Sequence, residues 1–150
     1  MKKSRLVYVV LNLIVIIALA SCDDSVLSHM SDVEAFIDNR PDSALVVLES
    51  IPHAELTTRR SRAKYALLKS IALDKNYIDV TSDSIIAPAV SYYRHHGSAD
   101  EKLKTFYYRG IVSFYSNDYD AAMEWFVKGN QFSDEAEDIR QSARLCFKMY

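Results

Sequence analysis

The chain has 150 residues, enough for one domain, and 49% of them are apolar with only 3 Gly and 3 Pro. This composition excludes a disordered chain and favours ordered helices. The formal net charge is −2, and it falls to −5 when the three N-terminal cations Lys2, Lys3 and Arg5 are removed. Because a nucleic-acid-binding protein needs a basic footprint, the charge argues against that class.

Residues 1–21 have the pattern of a targeting segment. The three cations precede an apolar run, Leu6 to Ala20. A run of about 15 residues is shorter than the roughly 20 of a transmembrane helix. The tetrapeptide Leu19-Ala20-Ser21-Cys22 resembles the lipobox of bacterial lipoproteins. That resemblance implies cleavage before Cys22 and acylation of its thiol, which would anchor the protein to a membrane. An uncleaved anchor helix and a plain secretory leader are the alternatives.

Residues 22–30 are interpreted as a tether. Asp23-Asp24-Ser25 resembles the surface-export signal of some Gram-negative lineages. In other lineages, an Asp after the lipidated cysteine retains the lipoprotein at the inner membrane. We expect a location at the cell envelope, with the outer membrane favoured and the leaflet left open.

Two helices are predicted in the first part of the mature chain. Ser31 and Glu34 have the spacing of a capping box, so the first helix is predicted to start at Ser31. Pro41 suits the first turn of a second helix, and Pro52 ends it.

A longer helix is predicted from Thr57 to Asp74, and its start is basic. The basic residues there are Arg59, Arg60, Arg62 and Lys64. Such a run could meet phosphate or anionic lipid. We favour a solvated face that pairs with nearby acids.

A further helix is predicted to be kinked at Pro88 or to begin there, and Gly97 is its expected C-terminal cap. Ser98 and Glu101 form another capping box.

The stretch from Leu103 to Asp134 predicts a helical hairpin. Its first helix carries Phe106 and Gly110 on one face, and Gly110 predicts close approach of the partner helix. Asn117-Asp118 predicts the turn and the next N-cap. The residues that define the pattern are Phe106, Gly110, Tyr119, Ala122 and Phe126. Their spacing resembles one tetratricopeptide repeat (TPR), a motif of roughly 34 residues.

The match to that repeat has three departures. Arg109 replaces the usual Leu, Ser113 replaces a Tyr, and Asp134 replaces the closing Pro.

The small-then-large pair of this hairpin, Ala122 and Phe126, recurs upstream. The earlier pairs are Ala44 with Leu48 and Ala89 with Tyr93. The predicted fold class is therefore all-α: stacked antiparallel helix pairs in a TPR-like α-solenoid over residues 31–150. An ordinary helical hairpin is the alternative. The resemblance implies a groove lined by the first helix of each pair, with Tyr108, Arg109 and Ser113 as candidate groove residues.

A last helix is predicted from Glu135 to Tyr150, capped by Asp134 with Glu137. Its apolar face comprises Ile139, Ala143, Cys146, Phe147 and Tyr150. No partner helix follows, so we expect the chain to stop within a repeat and to self-associate through this helix. Cys146 is interpreted as a small core residue.

The sequence contains no motif for catalysis, cofactor binding or metal binding. It has no glycine-rich phosphate loop, no Cys-x-x-Cys and no His-Glu-x-x-His. On a helix, the adjacent His95 and His96 would point about 100° apart, so they cannot share a metal. We expect a scaffold for protein–protein interaction at the cell envelope, not an enzyme, with an unidentified protein or peptide partner. The alternatives are a glycan-binding outer-membrane lipoprotein with exposed aromatic platforms and the N-terminal sensory part of a longer signalling protein.

Overall fold

The structure, a computed structural model, describes Tyr8 and residues 25–149, without the side chains of Ile139, Ala143, Cys146 and Phe147. All regular secondary structure within these ranges is helical, which confirms the all-α class. The helices are α1 (25–36), α2 (Pro41–Ser50), α3 (Arg59–Lys75), α4 (Ala87–Tyr93), α5 (Ala99–Tyr115), α6 (Tyr119–Asn130) and α7 (Ile139–Met149). A 3₁₀ turn, His53–Glu55, lies between α2 and α3. None of the described helices is long and apolar enough to cross a membrane.

The start of helix α1 corrects the predicted boundary between the tether, residues 22–30, and the folded domain. Residues 25–30 are helical, and Val26 and Met30 are buried in the core. Ser31 lies inside the helix, where its hydroxyl donates to the carbonyl of Leu27 (2.9 Å) and so does not cap a start at that point. Val26 and Met30 extend the apolar face of Val33 and Ile37 at helical spacing, and burial of that face outweighs the local capping signal.

Three helices, α3, α5 and α7, begin at residues 59, 99 and 139, which are 40 residues apart. Each is preceded by a residue whose side-chain oxygen accepts a hydrogen bond from the backbone N–H three residues later. These caps are Thr58 (3.0 Å), Ser98 (3.2 Å) and Asp138 (3.1 Å). The predicted capping box at Ser98 is confirmed, but α7 starts four residues later than Glu135, and Asp138 caps it.

The helices pack in a regular order. From α2 onward each helix contacts the next along the chain, and in addition α3 contacts α5 and α5 contacts α7. We call α3, α5 and α7 the first helices, and α2, α4 and α6 the second helices. The first helices thus touch one another as well as their sequence neighbours.

The second helices all carry the recurring small-then-large pair. In each of α2, α4 and α6 both members are at most 2% exposed: Ala44 and Leu48, Ala89 and Tyr93, Ala122 and Phe126. A small residue at a buried helix position permits close approach of a neighbouring helix. Helix α4 begins at Ala87 with Pro88 in its first turn, so Pro88 starts this helix and does not kink it.

Candidate functional site

The first helices present a row of basic side chains. Lys64, Lys104 and Arg144 are the sixth residues of α3, α5 and α7. Lys104 and Arg144 line a cavity bordered by α3, α5, α7 and the end of α1. Lys64 contacts Glu34 of α1, and Glu34 lines the same cavity. We call this surface the first-helix face.

Helix α1 supplies carboxylates to the row. The ammonium of Lys64 donates to the carboxylate of Glu34 (2.9 Å), and Lys104 lies 3.6 Å from the other oxygen of the same carboxylate. Lys104 also lies 3.5 Å from the carboxylate of Asp138, at the start of α7. One chain of ion pairs therefore joins α1, α3, α5 and α7. Because these side chains are mostly withdrawn from water, solvent screens the pairs less than fully exposed ones.

Two arginines of α7 also belong to the first-helix face. Arg140 and Arg144 line the same cavity, are exposed, and form no ion pair with any residue in the described part of the chain. Gln141 lies between them in the sequence and is only 4% exposed. Its Nε2 has no hydrogen-bond partner among the described residues. The two exposed arginines at this end of the first-helix face can bind a ligand with carboxylates.

The three predicted groove residues do not share one surface. Tyr108 is buried (3% exposed) beside the cavity, so it does not present a side chain to solvent. Ser113 is buried and accepts a hydrogen bond from Nη1 of Arg109 (2.8 Å). Arg109 extends towards the second helices, with its guanidinium 5.4 Å from the ring centroid of Trp125 and 3.4 Å from the carboxylate of Asp83. Helix α5 is packed on several sides, by α3, α4, α6 and α7, so its residues face different surroundings.

The residues that define the predicted repeat meet between α5 and α6. Phe106 stacks on Trp125 with ring centroids 5.9 Å apart. Gly110 lies against the ring of Phe126 so closely that an added Cβ would overlap the ring carbons, which confirms the predicted close approach. Ala122 is buried, and Tyr119, although 58% exposed, packs edge-to-face against Phe114 of α5 with ring centroids 5.5 Å apart.

A partly buried polar cluster around Asp74 was not predicted from the sequence. Asp74 accepts a long hydrogen bond from the hydroxyl of Tyr115 (3.4 Å), and burial raises the pKa of its carboxyl. Burial also raises the pKa of Tyr107 to about 12 and that of Tyr108 further. Asp74 stands at a helix end in the sequence, and no local signal distinguishes it from a solvated residue.

We expect Asp74→Asn to stabilise the fold near neutral pH. The folded wild type holds the Asp74 proton more tightly than the unfolded chain does, so it loses stability as the pH rises through the raised pKa. Asparagine carries no charge and its Oδ1 still accepts from Tyr115. The gain should shrink as the pH is lowered towards 3.8, the ordinary value for Asp. Urea-induced unfolding of both proteins across the acid range measures this difference.

Asp38 provides a control of opposite sign. The hydrogen bond from Lys75 (2.8 Å) lowers the pKa of Asp38, so its carboxylate stabilises the fold above the ordinary Asp range. Asp38→Asn should therefore cost stability near neutral pH and lose its effect in acid. The cost should stay within about 1 kcal/mol because Asp38 is largely exposed. A gain from Asp74→Asn that persists unchanged in acid would contradict the burial argument.

Several predictions fall on parts of the chain outside the described residues. Cys22 and the leader lie there, as do Tyr150 and the side chains of the predicted apolar face of α7. Lipidation and self-association therefore remain predictions. Within residues 25–149, no group of three or more His, Cys, Asp or Glu side chains is arranged to hold a metal ion.

Comparison with known proteins gives no relative: no family model, no curated protein and no solved structure matches the chain.

Proposed function

We propose that this protein is a membrane-anchored helical-repeat scaffold that binds a protein partner at the cell envelope. In this proposal, the helix pairs form a short TPR-like solenoid, and the protein binds rather than catalyses. Residues 1–21 are removed, and acyl chains on Cys22 hold the protein on the membrane, with the outer membrane as the expected location.

The observation that carries the proposal is the side-by-side contact of the first helices together with the basic row that they share. Helical-repeat proteins bury the apolar face of each pair against its neighbours and use the exposed side of one helix layer for binding. Lys64, Lys104 and Arg144 recur at one helix position, so successive units contribute equivalent side chains to one surface.

Charge favours an acidic protein segment as the partner. Glu34 of α1 and Asp38, two residues after that helix, already neutralise Lys64, Lys104 and Lys75 and illustrate the kind of side chain that the first-helix face accommodates. Arg140 and Arg144, described above as unpaired and exposed, are the positions left for carboxylates from outside. Complementary charge of this kind mainly raises the association rate and the specificity.

Rings suitable for a glycan platform are scarce in the part of the chain that the structure describes. Arg109 and Lys128 lie over the ring of Trp125, with their charged groups 5.4 and 4.3 Å from its centroid. Lys148 lies 5.0 Å from the ring centroid of Phe114. Tyr77 and Tyr119 are exposed, but Tyr77 lies in the turn after α3 and Tyr119 lies at the start of α6. We therefore prefer a protein partner over a glycan.

The test uses the full chain expressed in bacterial cells, with chemical cross-linking followed by membrane fractionation. We expect wild type to sediment with membranes and to yield one defined cross-linked partner. Cys22→Ser should leave the membrane fraction, because acyl chains supply about 0.8 kcal/mol per buried methylene. Arg140→Glu with Arg144→Glu should remain on the membrane and lose the partner, whereas the control Arg60→Glu with Arg94→Glu should keep it.

Two results would contradict the proposal. If Cys22→Ser associated with membranes as strongly as wild type does, the proposed lipid anchor on Cys22 would be wrong. Equal loss of the cross-linked partner in both double variants would show that net charge, not the first-helix face, governs the interaction.

A further inference from the structure

The fold divides the basic run at the start of α3. Lys64 extends towards α1 and pairs with Glu34. Arg59 and Arg62 instead line a cleft against α4 and the residues that follow it. The predicted pairing with nearby acids therefore holds for Lys64 but not for these two arginines, which are exposed as a solvated face requires.

This arginine–histidine cleft contains side chains from two separate parts of the chain. Its polar and aromatic lining residues are Arg59, Arg62, Ser91, Tyr92, His95 and His96. Its volume is about 450 Å³. Pockets for small molecules typically enclose about 300–1,000 Å³, so the cleft has room for a small ligand or a lipid head group.

Two of the lining side chains are held in place by the protein itself. Nε of Arg62 donates to the carbonyl of Thr58 (3.1 Å) and Nη2 donates to the carbonyl of Thr57 (3.3 Å). Arginine has five N–H donors, so those on Nη1 are not used by these bonds. The ring of His96 packs on that of Tyr92 with centroids 4.7 Å apart. A ligand would therefore meet donors whose orientation is partly fixed before it binds.

The charge of the cleft is uncompensated, unlike that of the three lysines of α3. Lys64, Lys69 and Lys75 each lie within 3.6 Å of a carboxylate oxygen. Arg59 and Arg62 form no ion pair with any residue from 25 to 149, and no Asp or Glu lines the cleft. Neighbouring like charges repel one another, and a bound anion would relieve that repulsion.

We propose that the arginine–histidine cleft binds one phosphate-like oxyanion, carried by a small metabolite or by a lipid head group. The planar guanidinium groups of Arg59 and Arg62 match the oxygen geometry of a tetrahedral oxyanion, and the imidazole N–H groups of His95 and His96 add donors. Several donors around one position suit an anion with three or four oxygens better than an isolated carboxylate. This site is separate from the first-helix face and is not needed for the proposed scaffold function.

The experiment is calorimetric titration of the full chain in a neutral detergent. One probe is inorganic phosphate, with sodium chloride of matched ionic strength as the blank. The other is a short-chain phosphatidylglycerol, compared with the phosphatidylcholine of the same chain length. We expect saturable binding of phosphate or of phosphatidylglycerol, and none of phosphatidylcholine. Arg59→Gln and Arg62→Gln should each weaken binding about tenfold, because each removes charge-assisted hydrogen bonds.

Arg60→Gln is the matched control, because it removes the same charge from the same turn of α3 at a position outside the cleft. It should change the affinity less than twofold. His95→Gln keeps a neutral donor in place and tests the side of the cleft formed by the residues after α4. We expect it to reduce the affinity less than either arginine substitution does. Circular dichroism of each variant confirms that the helices are retained.

The outcomes separate the two sources of the oxyanion. Binding of inorganic phosphate alone assigns the site to a soluble anion, and tighter binding of phosphatidylglycerol assigns it to a lipid head group. The proposal is overturned if neither probe binds wild type saturably, or if Arg60→Gln weakens binding as much as Arg59→Gln does.

Discussion

Met30→Ala is expected to lower the free energy of unfolding by about 2–5 kcal/mol, the range for truncation of a large side chain in a core. Met30 is 0% exposed and lies in the same cluster as Val33, Leu68 and Ile71. The loss combines the removed apolar surface with the cavity that remains. Chemical unfolding followed by circular dichroism measures it, because loss of helix is the main signal of an all-α chain.

Met123→Ala is the matched control, since it removes the same atoms from a residue that is 41% exposed on α6. Its effect should stay within about 0.5 kcal/mol. If the two substitutions had equal small effects, α1 would not be packed in the core, and residues 25–30 would be the tether that the sequence indicated.

Gly110→Ala is expected to destabilise the protein by about 1–3 kcal/mol, the usual cost of overpacking. In an exposed helix the same change would stabilise by roughly 0.8–1.0 kcal/mol, because alanine is the better helix former. The sign reverses here because the new Cβ would overlap ring carbons of Phe126. That ring is itself confined, with Tyr107 on another side at a centroid distance of 5.8 Å. The midpoint of urea unfolding gives the sign directly.

Gly129→Ala tests whether the effect is specific to that contact. Gly129 is also buried in a helix, but an added Cβ there would lie 3.4 Å or more from its neighbours, which is an ordinary contact distance. This variant should be neutral or more stable than wild type. In a Phe126→Leu background the penalty of Gly110→Ala should shrink, because the ring that it overlaps is gone. A rise in stability for Gly110→Ala in the wild-type background would remove the evidence for close packing of α5 on α6.

Local signals predicted the central hairpin well. Asn117 adopts φ +63° and Asp118 accepts a hydrogen bond from the N–H of Ala121 (3.1 Å), as the turn and cap chemistry indicated. Ser98 and Glu101 form the complete capping box. Such features depend on residues three or four apart, so the sequence alone contains the information.

Features that depend on distant residues were missed. The early start of α1 follows from burial of Val26 and Met30 against helices that come later in the chain. The direction of Arg109 depends on Asp83 and Trp125, which are 26 residues before it and 16 after it. No periodicity within α5 distinguishes these environments.

The 40-residue spacing of the first helices was also missed, for two physical reasons. Thr58, Ser98 and Asp138 are three different residue types that act as the same kind of hydrogen-bond acceptor, so letter-by-letter similarity is low. The second helices do not keep the spacing, because eleven residues (76–86) connect α3 to α4 but only three (116–118) connect α5 to α6. The regularity therefore lies in one helix layer alone.

The position of α1 limits how far the domain can stand from a membrane. With residue 25 already helical, only residues 23 and 24 separate the folded part from Cys22. Two extended residues span about 7 Å, whereas a flexible link up to Ser31 would span roughly 30 Å. If Cys22 is acylated as proposed, the helical body rests almost in contact with the lipid head groups. Its rotation is then restricted, and a partner must approach along the bilayer surface or from the side facing away from it.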